Sequence, residues 1–319
     1  MTTLTHDTVA ARATTGLAMV LTSALAFSLS GPIGKGLIDA GWTPGAAVTA
    51  RVLIGAAALA VPSALALRGR WSLLGRNLGS MVAFGAVAVA VCQLSYFYAV
   101  ARMDVAVALL IEFTSPVAVL AWMWLRHGHR PNRLTFAGAA VAVAGLALVI
   151  DVTSGVAVDG IGVLWALGAM VGAAFYWILS GHDSGLPGVV LACGGLLVGD
   201  LALLGAGLIG ILPMATSRTD VALAGADVPW WVSLLLLGAV TAGAAYAIGI
   251  LAVRRLGSRV ASFVGLSEAV FGVAMAWLLL SETPRPIQLA GGALILCGVL
   301  AVRAGEPEVA EVAPTTLPE

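Results

Sequence analysis

Long apolar runs, separated by short segments rich in polar residues, glycine and proline, constrain this chain more than any other feature. Ten such runs are present, at residues 16–34, 45–67, 79–100, 104–125, 134–150, 160–180, 188–212, 230–253, 259–280 and 286–303. An α-helix rises about 1.5 Å per residue, so roughly 20 apolar residues cross the ~30 Å hydrocarbon core of a bilayer. The pattern therefore predicts an all-α integral membrane protein with ten transmembrane helices.

The composition excludes several other classes of protein. Of the 319 residues, 60% are hydrophobic and only 10% are charged, whereas a water-soluble domain usually has about 25% charged residues. Sixteen basic and sixteen acidic residues balance, so no basic excess is present to bind nucleic acid. The three cysteines are isolated in apolar runs, which predicts neither a disulfide framework nor a metal site.

The distribution of basic residues predicts the orientation. If the N-terminus is cytoplasmic, eleven Lys and Arg residues lie on the inner side and four on the outer side, while Arg51 lies within a span. Basic residues concentrate in cytoplasmic loops, so both termini are expected in the cytoplasm. Residues 1–15 are then a short cytoplasmic tail, and residues 304–319, rich in Glu and Pro, a disordered acidic tail.

The sequence also contains an internal repeat. At an offset of 155, six of fourteen positions are identical: Ala121/Ala276, Trp122/Trp277, Leu125/Leu280, Arg130/Arg285, Pro131/Pro286 and Leu134/Leu289. This predicts two five-helix halves, at residues 16–151 and 159–303. Five is an odd number, so the second half enters the membrane from the opposite side. Inverted repeats recur in secondary transporters, with substrate bound near the midplane between the halves; a duplicated scaffold without transport is the alternative.

Several local patterns resemble the drug/metabolite transporter superfamily, EamA type. They are Ala50-Arg51, Ser115-Pro116, Leu279-Leu280-Ser281-Glu282, Pro286 and Gly291-Gly292, together with a stretch at residues 107–116 that resembles the threonine/homoserine exporter branch. The resemblance implies a ten-helix exporter of small metabolites. The sequence departs from the family pattern in two places: His127 replaces a loop Glu, and Ala269 replaces the Pro expected after Glu268. The second departure removes the reason to expect a kink in the ninth helix.

Four ionisable side chains lie well inside predicted spans: Arg51, Glu112, Asp200 and Glu268. On insertion scales such a residue costs about 2.5–3.5 kcal/mol at mid-helix, so each requires a reason. Glu112 and Glu268 fall near mid-bilayer on equivalent helices of the two halves. We expect one of them to be a proton-coupling site; the alternative is that each pairs with a polar neighbour and only holds helices together.

Two prolines predict kinks close to these residues. Pro116 cannot donate to the carbonyl of Glu112, so this residue offers both a carboxyl group and a freed backbone acceptor. Pro32 frees the carbonyl of Ser28 in the first helix in the same way. A carbonyl exposed inside the membrane is tolerated where it faces protein or a water-filled cavity.

The remaining candidates are polar or aromatic side chains within the spans. Arg51 either binds a carboxylate through its bidentate fork or extends toward the interface, and Asp200 is expected to pair with Arg51 or Glu268. Four further residues either line the substrate cavity or pack structurally: Gln93, Tyr96, Tyr176 and Tyr246.

Together these features predict a proton-coupled secondary transporter of the bacterial cytoplasmic membrane that exports small amino acids or related metabolites by alternating access. Substrate, direction and coupling ion come from the resemblance alone. Alternatives are export of drug-like compounds, or a channel or scaffold. No His-Glu-x-x-His pattern or Walker-type loop suggests an enzyme. The expected partners are a small-molecule substrate and membrane lipid, without cofactor, metal, catalytic residue or nucleic acid; a homodimer stays open.

Overall fold

The computed structural model describes residues 3–118, 124–125, 132–150, 159–180, 185–256, 261 and 264–305. The first half of the chain contains helices α1 (Thr3–Ser28), α2 (Ser30–Asp39), α3 (Pro44–Ala66), α4 (Ser72–Arg76), α5 (Leu78–Val100), α6 (Val105–Glu112) and α7 (Arg133–Ile150). The second half contains α8 (Gly160–Ser180), α9 (Gly188–Leu208), α10 (Trp230–Leu256), α11 (Ser267–Leu280) and α12 (Pro286–Gly305). A two-stranded antiparallel hairpin, β1 (Val221–Leu223) and β2 (Ala226–Val228), precedes α10.

Five helical segments are long and apolar enough to cross a membrane: Thr14–Asp39, Pro44–Ala66, Leu78–Val100, Gly188–Leu208 and Trp230–Leu256. Five shorter apolar helices accompany them: Val105–Ala118, Arg133–Val149, Gly160–Tyr176, Ser267–Leu280 and Pro286–Val302. The predominantly helical architecture agrees with the sequence, whereas the count of ten spans stays a prediction.

The N-terminal tail is helical from Thr3, one loop contains a hairpin, and most of the C-terminal tail lies outside the described residues. α1 begins at Thr3, so helical backbone extends through residues 3–15 of the predicted tail, where the run from Ala10 to Ala13 consists of strong helix formers. The cytoplasmic location of this tail stays a prediction. The hairpin β1–β2 was not predicted, because three-residue strands are too short to show alternation. Residues 306–319 of the acidic tail, and the repeat positions Arg130 and Pro131, lie outside the described residues.

Interruptions of the helices occur near the predicted kinks. α1 ends at Ser28 and α2 begins at Ser30, as expected where Pro32 leaves the Ser28 carbonyl without its helical donor. α6 ends at Glu112, and helical backbone resumes at residues 115–118. α11 begins at Ser267 after a turn at Leu266. This third interruption occurs although the sequence has no proline there to predict it.

Equivalent helices of the two halves, α7 and α12, contact one another through glycines. A Cβ added to Gly138 would lie 2.7 Å from the carbonyl oxygen of Gly298, and one added to Gly145 would lie 2.6 Å from that of Gly291. Small residues allow helix backbones to approach this closely in membranes. The pairing order is antiparallel, and each first-half glycine has its counterpart 153 residues later. The contact therefore has the geometry of an inverted repeat.

Two further helix pairs link the halves near the centre of the bundle. The Ser23 hydroxyl of α1 donates to the Ala245 carbonyl of α10 over 2.8 Å. The Cys92 thiol of α5 donates to the Ala169 carbonyl of α8 over 3.5 Å. Both α5 and α10 contain a π-helical segment, Phe84–Val91 and Leu236–Ala244, just before these contacts. Such segments are frequent at functional sites.

The bundle has two distinguishable ends. At the hairpin end, the Ala224 amide donates to the Leu279 carbonyl at the end of α11 over 2.8 Å, and Val221 packs against Gly36 of α2. At the arginine end, α10 finishes with Arg254 and Arg255. Under the orientation expected from the basic residues, the hairpin end faces outward and the arginine end faces the cytoplasm.

Candidate functional site

A cavity at the centre of the bundle collects most of the predicted site residues. Its volume is about 80 Å³. Both halves supply its lining, which consists of Phe27, Ala88, Cys92, Gln93, Glu112, Phe113, Ser115, Ala173, Tyr176, Tyr246 and Glu268. Five residues singled out from the sequence thus share one cavity although more than 170 positions separate the first from the last.

The two carboxyl groups enter this cavity from equivalent predicted spans of the two halves. Glu112 is the last residue of α6, and Glu268 lies in the first turn of α11, so each adjoins an interruption of its helix. The Cys92 Sγ lies 3.8 Å from Glu112 Oε1. The charges of Glu112 and Glu268 lie close enough to interact with each other and with Arg51. The cavity therefore has two acidic groups on its wall.

Aromatic side chains form a second part of the wall. The Phe27 and Tyr246 rings meet edge to face with centroids 5.0 Å apart, and the Tyr176 and Tyr246 rings do so at 5.7 Å. Phe84 packs behind Tyr176 at 5.8 Å. Such a wall can cover apolar groups and, through the ring faces, cations.

Arg51 lies behind the cavity wall and does not line it. Its side chain is 1% exposed. Nε donates to the Thr241 hydroxyl over 3.2 Å, Nη2 donates to the Thr241 carbonyl over 2.9 Å, and Nη1 donates to Gln93 Oε1. The guanidinium also lies 5.7 Å from the centroid of the Phe97 ring. The guanidinium of Arg51 thus donates to groups of α10 and α5, so these hydrogen bonds go to the protein itself.

Gln93 connects Arg51 to the cavity. Its amide oxygen accepts from Arg51, and its Nε2 donates to the Tyr246 hydroxyl over 2.9 Å. The arginine fixes which end of the amide faces it, because a guanidinium only donates. Gln93 and Tyr246 occupy positions 153 residues apart, which is the offset that relates the glycines of α7 and α12. These two residues therefore meet where the halves adjoin.

Two predicted residues lie away from the cavity lining. Tyr96 is 5% exposed, and its hydroxyl has no hydrogen-bond partner among the described residues. Asp200 on α9 is 3% exposed, and its Oδ1 likewise lacks a partner in the described part of the chain. The expected pairing of Asp200 with Arg51 or Glu268 is not formed, because Arg51 is engaged with Thr241 and Gln93 on the other helices.

Sequence reasoning missed the lining residues Phe27, Cys92, Phe113 and Ser115. It also missed Thr241, which holds Arg51 behind the cavity wall. Ser115 had a signal, since it precedes Pro116. Cys92 was interpreted as a core residue only; it is buried, yet its thiol contacts Glu112. Phe27 and Thr241 carry no local signal, because an aromatic ring or a hydroxyl in an apolar helix is usually structural.

A second cavity of about 50 Å³ adjoins the first. The two share Phe27, Tyr176 and Glu268, and the second continues to Val20, Val253 and Ala261. Val253 is next to Arg254, so the two cavities together extend from the centre of the bundle toward the arginine end.

Comparison with known proteins identifies the family. A model of the EamA-like transporter family matches residues 14–151 and again residues 160–304. The chain belongs to the EamA-like transporter family. The double match places one repeat in each half of the chain. With the membrane-length helices, it makes this protein a multi-pass membrane protein of a family of small-molecule transporters, and it points to a transporter and not an enzyme.

A solved crystal structure shares the fold. It superposes with a TM-score of 0.60 at 19% sequence identity, covering 90% of this chain and 96% of its own. At that identity the similarity concerns the fold alone. No curated protein matches the chain.

Proposed function

We propose that this protein is a proton-coupled secondary transporter of the bacterial cytoplasmic membrane. It exports small amino acids or related metabolites by alternating access, and both termini are cytoplasmic. The observation that carries the proposal is the convergence of Glu112 and Glu268, from equivalent helices of two repeats, in one central cavity. Membrane-buried carboxyls are costly, so they are typically retained for ion or substrate pathways.

Competition between a proton and an amine for the same carboxyl provides the coupling. When a substrate ammonium binds a protonated Glu112 or Glu268, the carboxyl releases its proton and the ammonium takes its place beside the carboxylate. Entry of a proton from the opposite side reverses the exchange. The other titratable or charged groups that face these carboxyls are Cys92, Tyr96 and Arg51; Tyr176 and Tyr246 line the same cavity.

A second candidate substrate class is small organic amines without a carboxylate. Amino acids carry a carboxylate, which would lie beside two acidic side chains while Arg51 donates to Thr241 and Gln93. In the described part of the chain, the lining of the cavity has two carboxyls and no basic side chain. An amine with an apolar body matches this wall, since the carboxyls bind the ammonium and the aromatic rings cover the rest.

Transport into proteoliposomes with an imposed pH gradient tests the proposal. Labelled threonine is the first substrate, and counterflow with saturation distinguishes a carrier from a channel. We expect Glu112→Gln or Glu268→Gln to lower gradient-driven flux at least tenfold, because the amide cannot exchange a proton. The control, Asp220→Asn in an exposed loop, should transport like the wild type. Full gradient-driven flux in both Glu variants would contradict the proposal.

Matched ligands separate the two substrate classes. Threonine and 1-amino-2-propanol differ only by the carboxylate, and their binding to the protein in nanodiscs can be compared by calorimetry. Tighter binding of 1-amino-2-propanol favours amine export, because no third carboxylate enters the acidic cavity. Tighter binding of threonine favours amino acids, with the hydroxyl and amide donors of Ser115, Tyr246 and Gln93 serving its carboxylate.

A further inference from the structure

Four buried polar atoms without partners lie between the central cavity and the hairpin end. The described residues contain seven such atoms, and four of these belong to Ser30, Tyr96, Ser267 and Glu282. The other three are on Trp42, Asp200 and Ser233. Buried polar atoms in proteins almost always have a hydrogen-bond partner. A group of four on neighbouring elements is therefore a site where water or a transferred proton satisfies them.

Packing around Gly31 connects these atoms. A Cβ at Gly31 would collide with both the Tyr96 hydroxyl and the Val105 side chain, so the hydroxyl lies against α2 at the start of α6. The backbone amide of Val105 donates to Glu282 Oε2 over 2.9 Å. The second carboxyl oxygen, Oε1, is the one without a partner. Tyr96 and Glu282 are thus near neighbours around Val105.

Tyr96 also lies within electrostatic range of the central carboxyls. Its hydroxyl interacts electrostatically with Glu112, with Glu268 and with Glu282. Ser267 directly precedes Glu268, and Ser30 directly precedes Gly31. The four partnerless atoms thus belong to Tyr96 and Glu282, which meet around Val105, and to two serines that adjoin Gly31 and Glu268 in the chain.

Glu282 has the environment of a group that exchanges protons near neutral pH. It lies in the connection after α11, outside the spans. Burial raises the pKa of Glu282 to about 7; the Val105 amide and Lys35 oppose this rise, while Asp104 and Asp39 add to it. Apart from Tyr96, the facing charged groups are thus Asp104, Lys35 and Asp39. A carboxyl with this pKa is partly protonated and partly ionised at neutral pH.

We propose that Glu282 is the outer proton-exchange residue of the carrier, and that the Tyr96 hydroxyl relays protons between it and Glu112 or Glu268, with water held by Ser30 and Ser267. The inference rests on the proposed proton coupling. Glu282 takes a proton from outside and passes it to the Tyr96 oxygen while the Tyr96 hydroxyl gives its own proton to a central carboxylate. One proton enters at Glu282 and one arrives at the central carboxylate, so the protonation states of Glu282 and Tyr96 are the same before and after the transfer.

Two variants test the relay with little change in shape. Glu282→Gln keeps an oxygen for the Val105 amide but cannot exchange protons at neutral pH. Tyr96→Phe keeps the ring and removes the hydroxyl. For each we measure gradient-driven flux and counterflow at equal pH, since counterflow needs no net proton movement. We expect the ratio of driven flux to counterflow to fall at least tenfold in both variants.

The controls separate this inference from the function on which it rests. Glu282→Asp retains an exchangeable proton and should restore at least half of the ratio, and Asp220→Asn should leave it unchanged. If the wild type shows driven flux but the ratio is unchanged in Glu282→Gln and Tyr96→Phe, the relay is overturned. An equal loss of driven flux and counterflow leaves the ratio unchanged and therefore counts as the same outcome. Absence of driven flux in the wild type instead overturns the proposed function, and the relay with it.

Discussion

Gln93 links the buried guanidinium of Arg51 to Tyr246 in the cavity wall. Its amide is bonded to Arg51 on one side and to Tyr246 on the other. Replacing it with Leu leaves a buried guanidinium N–H and a hydroxyl unpaired, which we expect to lower the free energy of unfolding by about 1–3 kcal/mol. Gln93→Glu keeps an acceptor for both groups and should lose less. Thermal unfolding in detergent compares the two, and a Gln93→Leu protein as stable as the wild type would contradict the network.

At the level of single residues, the sequence predicted the unusual groups better than their partners. Glu112 and Glu268 stand out because a carboxyl in an apolar helix is costly, and they do enter one cavity. Arg51 stood out for the same reason, but its partners lie 42 and 190 positions away. Gln93 was singled out only as a possible cavity residue, and Thr241 looks ordinary in the sequence, so only the three-dimensional packing selects them over Asp200 as partners of Arg51.

The pairing of α7 with α12 depends on glycines that leave no room for a side chain. A Cβ at Gly145 would lie 2.6 Å from a backbone oxygen and 2.7 Å from a backbone nitrogen of α12. Gly145→Ala must therefore push the helices apart, and we expect a loss of about 1–3 kcal/mol, as for other overpacked contacts.

Gly205→Ala is the matched control for that helix contact. Gly205 also lies inside a helix, but nothing is within 4 Å of its would-be Cβ, so alanine should be neutral or slightly stabilising there. The two variants are compared by thermal unfolding in the same detergent. Equal stabilities would show that α7 and α12 are not held by this close contact.

Among the elements, the sequence indicated those interruptions that proline causes. Pro32 and Pro116 cannot donate to the carbonyl four residues earlier, and the helices are interrupted at Leu29 and at residues 113–114. The turn at Leu266 has no such cause and follows only a glycine, Gly265. The π-helical segments of α5 and α10 are ordinary apolar sequence as well. A π-helical segment has about one more residue per turn than an α-helix. Packing against neighbouring helices decides where such a segment forms, so the amino-acid composition does not predict it.

The molecule as a whole is asymmetric between its two ends. The cavities extend from Glu268 to Val253 near the arginine end, whereas Tyr96 and Val105 pack tightly against Gly31 toward the hairpin end. A carrier must exchange such a conformation for the opposite one. Under the proposed orientation and alternating access, the cavities of this conformation extend toward the cytoplasm.

Thiol labelling tests both this access and the orientation. In a background with Cys92, Cys193 and Cys297 replaced by Ala, one variant carries Ala24→Cys in the second cavity and another carries Ser30→Cys beside Gly31. Both positions are buried, at 3% and 5% exposure, but position 24 lines the second cavity, whereas position 30 lies where Gly31 packs against Tyr96 and Val105. We therefore expect a membrane-impermeant thiol reagent applied from the cytoplasmic side to react at least tenfold faster with the first. Lowering the outside pH loads the carrier with protons from that side and should shift it inward-open, so the difference should grow. Faster labelling of position 30, or labelling of position 24 only from outside, would mean that the cavities open to the exterior and that the direction of proton entry proposed for Glu282 is reversed.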